Sequence, residues 1–217
     1  MFASLGLVVL FLGASEARAS DPVIVPPDRS FHGSTYSEWA AEWWKWAYGA
    51  PADSNPVLDA TGEFADVGQS GAVWFLAGSF GETLTRTVTV PSDKVLFFPI
   101  LNWVWMGPWT LRDGRYFVES HLDAVLDVGD FSCEIDGVSV SDLESYRTST
   151  ARGDEYFIRL PRNNLFGAPA GLEGPTVDAG IYLMLRPLPA GEHTIHIFAS
   201  DDATFTVDVT YDLTVEP

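Results

Sequence analysis

The chain has 217 residues, 47% of them hydrophobic, and carries 12 Lys and Arg against 30 Asp and Glu, a formal net charge of −18. That length can bury a core without covalent staples. So acidic a surface excludes nucleic acid and anionic membranes as partners, because holding phosphates depends on basic side chains that displace counterions.

In chain order, residues 1–19 have the pattern of an export signal: Leu5 to Leu12 is apolar apart from glycine, and Ala17-Arg18-Ala19 sets small residues before a cleavage point. The run is shorter than the ~20 apolar residues of a membrane-spanning helix. The expectation is an exported protein, periplasmic or extracellular, with no membrane insertion. Residues 20–35, with prolines at 22, 26 and 27, read as an extended N-terminal arm, and 36–217 as one domain.

A helix is predicted over 36–48. A hydroxyl residue and Glu38 open it, and Gly49 with Pro51 closes it. Tyr36, Trp39, Trp43 and Trp46 recur at helical spacing on one face, while Glu38, Glu42 and Lys45 lie on another. Trp44 breaks the apolar face and is expected to reach solvent. Beyond this helix the pattern has period two. Ala72–Ala77 is continuously apolar, as in a strand buried on both faces. Thr83–Val90 alternates threonine with Leu84, Val88 and Val90, and Val95–Leu101 is apolar again. A second helix fits Tyr116–Asp127, with Val118, Leu122, Val125 and Leu126 on one stripe. Phe131–Ile135 and Val138–Val140 flank Asp136-Gly137, the mark of a tight hairpin. The lone cysteine, Cys133, shares a face with Phe131 and Ile135, which predicts a buried, inert thiol. Tyr156–Leu160, Gly180–Leu185 and His193–Phe198 are further strands. The last is the clearest, with Phe205, Val207, Val209, Tyr211, Leu213 and Val215 facing inward. The fold class is therefore mainly β: an antiparallel β-sandwich or jelly roll with one or two peripheral helices.

Several of these stretches together resemble a group of uncharacterised secreted bacterial proteins with a tryptophan-rich N-terminal helix: residues 36–46, 67–78, 96–102 and 191–195. The resemblance implies export but no activity and no catalytic residues. It also implies a cysteine pair flanking the region from Gly68 to Val90. Ala65, Asp66 and Val88 stand near those places here, so that link is missing.

Seven of the eight tryptophans fall in two short clusters, 39–46 and 103–109. In the second, Trp103 and Trp105 share a strand face about 7 Å apart, and Trp109 follows Gly107-Pro108. Sugar rings stack on such surfaces, with Asn102 and Arg112 placed to bond hydroxyls. The competing use is core packing under the first helix. No metal site is expected: His193 and His196 are three apart in a strand and point to opposite faces, and no zinc-type spacing is present. No cofactor is implied. Nucleophile motifs are absent, leaving Glu38, Glu42 and His121 as the catalytic candidates to test. The leading expectation is an exported, non-catalytic binding protein for a neutral glycan, with Trp103, Trp105, Trp109, Asn102 and Arg112 as contacts. The alternatives are an extracellular polysaccharide hydrolase or lyase and a structural envelope or matrix protein.

Overall fold

The computed structural model describes residues 24–107, 110–201 and 205–217; the expected signal lies outside them. The first helix, α1, spans Tyr36–Gly49. Thr35 caps it, its hydroxyl accepting from the Glu38 N–H while the Glu38 carboxylate accepts from Thr35 N–H, which satisfies two of the helix's free donors. At the other end the Asn55 amide donates to the carbonyls of Ala47 and Ala50, at 2.8 and 3.2 Å. The strands follow as β1 (Val73–Phe75), β2 (Thr83–Pro91) and β3 (Val95–Met106). After them come α2 (Leu111–Val128), β4 (Asp130–Ile135), β5 (Val138–Ser139), β6 (Arg147–Ser149), β7 (Tyr156–Leu160), β8 (Gly171–Leu185), β9 (Gly191–Ser200) and β10 (Thr206–Glu216).

Two five-stranded sheets result. One has the order β1-β3-β8-β6, with β7 also paired to β8; the other runs β2-β10-β9-β4-β5. The β-sandwich class holds, with two helices. The sheets are mixed rather than wholly antiparallel, because β1 pairs with β3, and β2 with β10, in parallel. The expected hairpin forms between β4 and β5, and its turn places Asp136 and Gly137 at φ 51° and 74°, as a two-residue turn demands. Helix α2 begins five residues earlier than the apolar stripe suggested, where the Thr110 hydroxyl caps it at Asp113. The described part of the arm is fastened: Ile24 bridges Leu185, and Val25 N–H donates to Met184. Among the described residues, no helix is long and apolar enough to cross a membrane.

The central strands of the first sheet, β3 and β8, are buried on both faces over much of their length, making three layers. Its inner face offers Phe98, Ile181 and Leu183 to Val88, Ile197, Val209 and Leu213 of the second sheet. Its outer face offers Phe97, Tyr182 and Met184 to Tyr36, Ala40, Trp43 and Trp44 of α1. Each side chain of this size contributes roughly 1.5–3 kcal/mol when buried. Three indoles of α1 act as ties as well as filler: Trp39 donates to Phe31 O, Trp43 to Leu76 O and Trp46 to Val67 O, at 3.1, 2.9 and 2.8 Å. Trp44, expected at the surface, is 5% exposed. The 36–48 helix lies flat between the sheet and its flanking loops, so the residue beside the main stripe is covered too.

The register of β3 against β8 shifts between Pro99 and Leu101. Such a bulge reverses which face successive side chains take. Leu96 and Phe98 point inward before it, and Leu101, Trp103 and Trp105 after it; Asn102, Val104 and Met106 turn outward. Opposite the bulge, Gly180 leaves the space that Asn102 needs. A Cβ there would stand 2.7 Å from both Asn102 Cβ and Leu101 O. We expect Gly180→Ala to lower stability by about 2 kcal/mol in urea unfolding, with no loss if the strand can yield.

Candidate functional site

Pro99 shapes the site. Strand β1 runs beside β3 through Val73↔Val95 and Phe75↔Phe97, and Leu76 N–H donates to Phe97 O. The next rung would be a Pro99 N–H to the Leu76 carbonyl, which proline lacks. The ladder stops there and the chain peels away from β3. Its freed groups are taken up elsewhere. Trp43 Nε1 reaches Leu76 O. The Tyr211 hydroxyl accepts from Ala77 N–H at 2.9 Å and contacts Ala77 O at 2.7 Å. Arg86 donates to Ala77 O and Gly78 O at 2.9 and 3.0 Å.

Arg86 is 1% exposed and meets no carboxylate among the described residues. Its remaining nitrogens donate to the carbonyls of Asp59 and Val57, and Nη1 also to the Tyr211 hydroxyl at 2.8 Å. One guanidinium thus holds two loops, 57–59 and 77–78, against the sandwich edge. Arg86→Met would leave the carbonyls of Val57, Asp59 and Gly78 without this donor, at ~1–3 kcal/mol each. We expect a loss of more than 3 kcal/mol in chemical denaturation.

Between the peeled chain and the free edge of β3 lies a slot of about 80 Å³. Its walls are Trp43, Trp44 and Tyr48 of α1, the loop from Gly78 to Phe80, and β3 from Pro99 to Trp103. Ser200, Asp201 and Phe205 close it from the β9–β10 side. Phe80 and Phe205 line it and yet remain 48% and 37% exposed, so they stand at its mouth. Phe205, expected to begin the inward row of the last strand, precedes β10 and faces the slot instead.

Behind one wall is a buried polar cluster. Asp178, 1% exposed, accepts from Thr150 Oγ1 at 2.6 Å, the Tyr156 hydroxyl at 3.1 Å and the Tyr182 hydroxyl at 3.2 Å. The Tyr182 hydroxyl in turn accepts from Asn102 Nδ2 at 3.1 Å, and Asn102 lines the slot. Trp44 Nε1 lies close enough to the carboxylate to favour its charge but meets no acceptor in hydrogen-bond geometry, so this contact is electrostatic. Burial raises the Asp178 pKa from 3.8 to about 6, its hydrogen bonds from Thr150, Tyr156 and Tyr182 opposing the rise. Burial, reinforced by the Asp178 charge, also holds both tyrosines well above 10, so they remain donors.

The folded chain therefore binds a proton at Asp178 more readily than the unfolded chain does. The stability this group contributes is fully present below about pH 4 and is lost as pH rises through 6, by about 3 kcal/mol. We expect Asp178→Asn to lack this loss. The unfolding free energy of the wild type minus that of the variant should fall between pH 4 and 7, and a flat difference would refute the assignment.

Two of the residues expected to bind ligand, Asn102 and Trp103, meet at the slot. They lie on opposite faces of β3, and the slot runs along the strand's edge, where both are reached. The other contacts are not brought together with them. Trp103 and Trp105 are half-buried beneath α2, not α1, their rings 6.2 Å from His121 and 5.1 Å from Phe117. Trp105 packs so tightly that a Cβ on Gly114 would come within 2.6 Å of it. Arg112 is exposed on the first turn of α2, and Trp109 lies outside the described residues.

The catalytic candidates are also apart. Glu38 serves the Thr35 cap, whose backbone and hydroxyl bonds hold its pKa below the usual range, the opposite of a general acid. Glu42 pairs with Lys45 at 2.7 Å. His121 is exposed on α2, on the other face of the sheet, bonded to Phe117 O. His193 and His196 pair with different carboxylates, Asp136 and Asp208. Among the described residues no three His, Cys, Asp or Glu converge as a metal site. Cys133 is buried and its pKa is pushed up to about 12 by burial, then by Glu134. Arg86, Asp178 and Phe80 were not singled out from sequence. Arg86 did carry a signal, standing on the inward face of an alternating strand, in step with Val88 and Val90.

Compared with protein families, with characterised proteins and with solved structures, the chain matches none.

Proposed function

We propose that this protein is an exported, non-catalytic binding protein, working in the periplasm or outside the cell, and that the slot beside β3 takes a small, largely apolar group. The observation that carries this is the pair Phe80 and Phe205, held partly exposed at the mouth of an aromatic cavity. Large exposed apolar side chains clustered at a concave site are a mark of recognition. The slot has about half the volume of the ~150 Å³ cavity that encloses benzene. It therefore suits the tip of a ring or a branched side chain, with the remainder lying against the two phenylalanines. A neutral glycan stacked on Trp103 and Trp105 has less support, since α2 covers those faces. Export rests on the N-terminal sequence and on the resemblance to secreted proteins.

Titration of the folded protein with toluene and with neutral oligosaccharides, followed through the backbone amides of Gly78, Ser79 and Asn102, tests the reading. Toluene should give saturable shifts at these amides. Phe80→Ala and Phe205→Ala, both at exposed positions, should each weaken it about five- to tenfold. Shifts from sugars alone, centred on Trp103 and Trp105, would restore the glycan platform. No response to either class would refute the binding reading.

A further inference from the structure

The slot is apolar on most sides, so its few polar atoms decide what enters. Taking the slot as the binding site, as proposed above, we infer that it selects apolar groups bearing a hydrogen-bond donor, because Asn102 presents its amide oxygen to the ligand. The polarity of Asn102 follows from hydrogen-bond bookkeeping that begins at Asp178. An ionised carboxylate only accepts, so each of the three hydroxyls around it must spend its single proton on it. Thr150 Oγ1 and the Tyr156 hydroxyl donate to Oδ1, and the Tyr182 hydroxyl donates to Oδ2. With its proton committed, Tyr182 can only accept from its other neighbour. Asn102 must therefore turn its NH₂ toward Tyr182, as the 3.1 Å contact from Nδ2 requires.

The amide oxygen is left on the other side. No protein donor bonds Asn102 Oδ1 among the described residues, and it is not one of the fully buried polar atoms that lack a partner. Asn102 lines the slot, and Gly180 allows its side chain to sit there. The slot thus ends in an acceptor whose orientation is set two bonds away by a carboxylate that never touches the ligand. Phenols, indoles and aliphatic alcohols fit this arrangement. Acceptor-only groups such as nitriles do not, because they would oppose one lone pair with another. Leaving a buried polar group without its complement is what makes such sites discriminate strongly.

Three probes of similar size separate the possibilities: phenol (a donor), toluene (neither donor nor acceptor) and benzonitrile (an acceptor only). Each is titrated at pH 7.5, where Asp178 is ionised, and followed through the slot amides. The wild type should bind phenol at least tenfold more tightly than toluene, and toluene more tightly than benzonitrile. In Asn102→Leu, which keeps the volume and removes the amide, toluene should bind more tightly than phenol, and benzonitrile should approach toluene. The wild-type order stands on its own if that variant fails to fold. Toluene or benzonitrile binding as well as phenol in the wild type would overturn the donor preference while leaving the slot a binding site. No saturable binding of any of the three would overturn the slot reading itself, and this inference with it.

Discussion

The architecture around the site depends on one missing hydrogen. Pro99 has no N–H to offer Leu76, so the parallel ladder between the two strands ends at Phe97. An unpaired buried carbonyl is costly, and three separate elements meet that cost: an indole from the first helix, a tyrosine hydroxyl from the last strand and a guanidinium from the second strand. The two strands separate because the backbone forbids their pairing. The gap stays open because the donors that rescue the peeled chain hold it at a fixed distance from β3.

The central strands of that sheet lie between a helix on one side and a second sheet on the other, so a charged group buried in or beside them needs local partners. Arg86 and Asp178, of opposite sign and each 1% exposed, solve this in different ways. Arg86 is surrounded by carbonyls and one hydroxyl, and Asp178 by hydroxyls; neither finds the other. A buried carboxylate held only by neutral donors keeps its charge less firmly than one in water, and burial raises the Asp178 pKa to about 6. The acid that sets the direction of the Asn102 amide is therefore also sensitive to the medium.

Much of the scaffold was legible from sequence because it rests on local patterns: the capping box at Thr35 and Glu38, the alternation of the last strand and the Asp136-Gly137 turn. The site was legible only in part. Asn102 and Trp103 were picked out because they flank an aromatic cluster, but period-two reasoning could not foresee the bulge that decides which layer each one faces. Phe80 looks like an ordinary turn residue, and its role depends on where β1 stops pairing. Asp178 stands alone in an apolar run, and its significance comes from Tyr182 on the same strand together with Thr150, just past β6, and Tyr156 on β7, both remote in the chain. Contacts made across the sheet leave no trace in the spacing along the chain.

The irregularity between Pro99 and Leu101 has a consequence for how this strand tolerates change in length. Removing a single residue there would restore an uninterrupted pleat. The two indoles now under α2 would then swing toward the tryptophan helix, and the amide would turn into the layer between the sheets. Insertions and deletions in this segment would exchange the identities of two cores at a stroke, whereas substitutions would alter only one position.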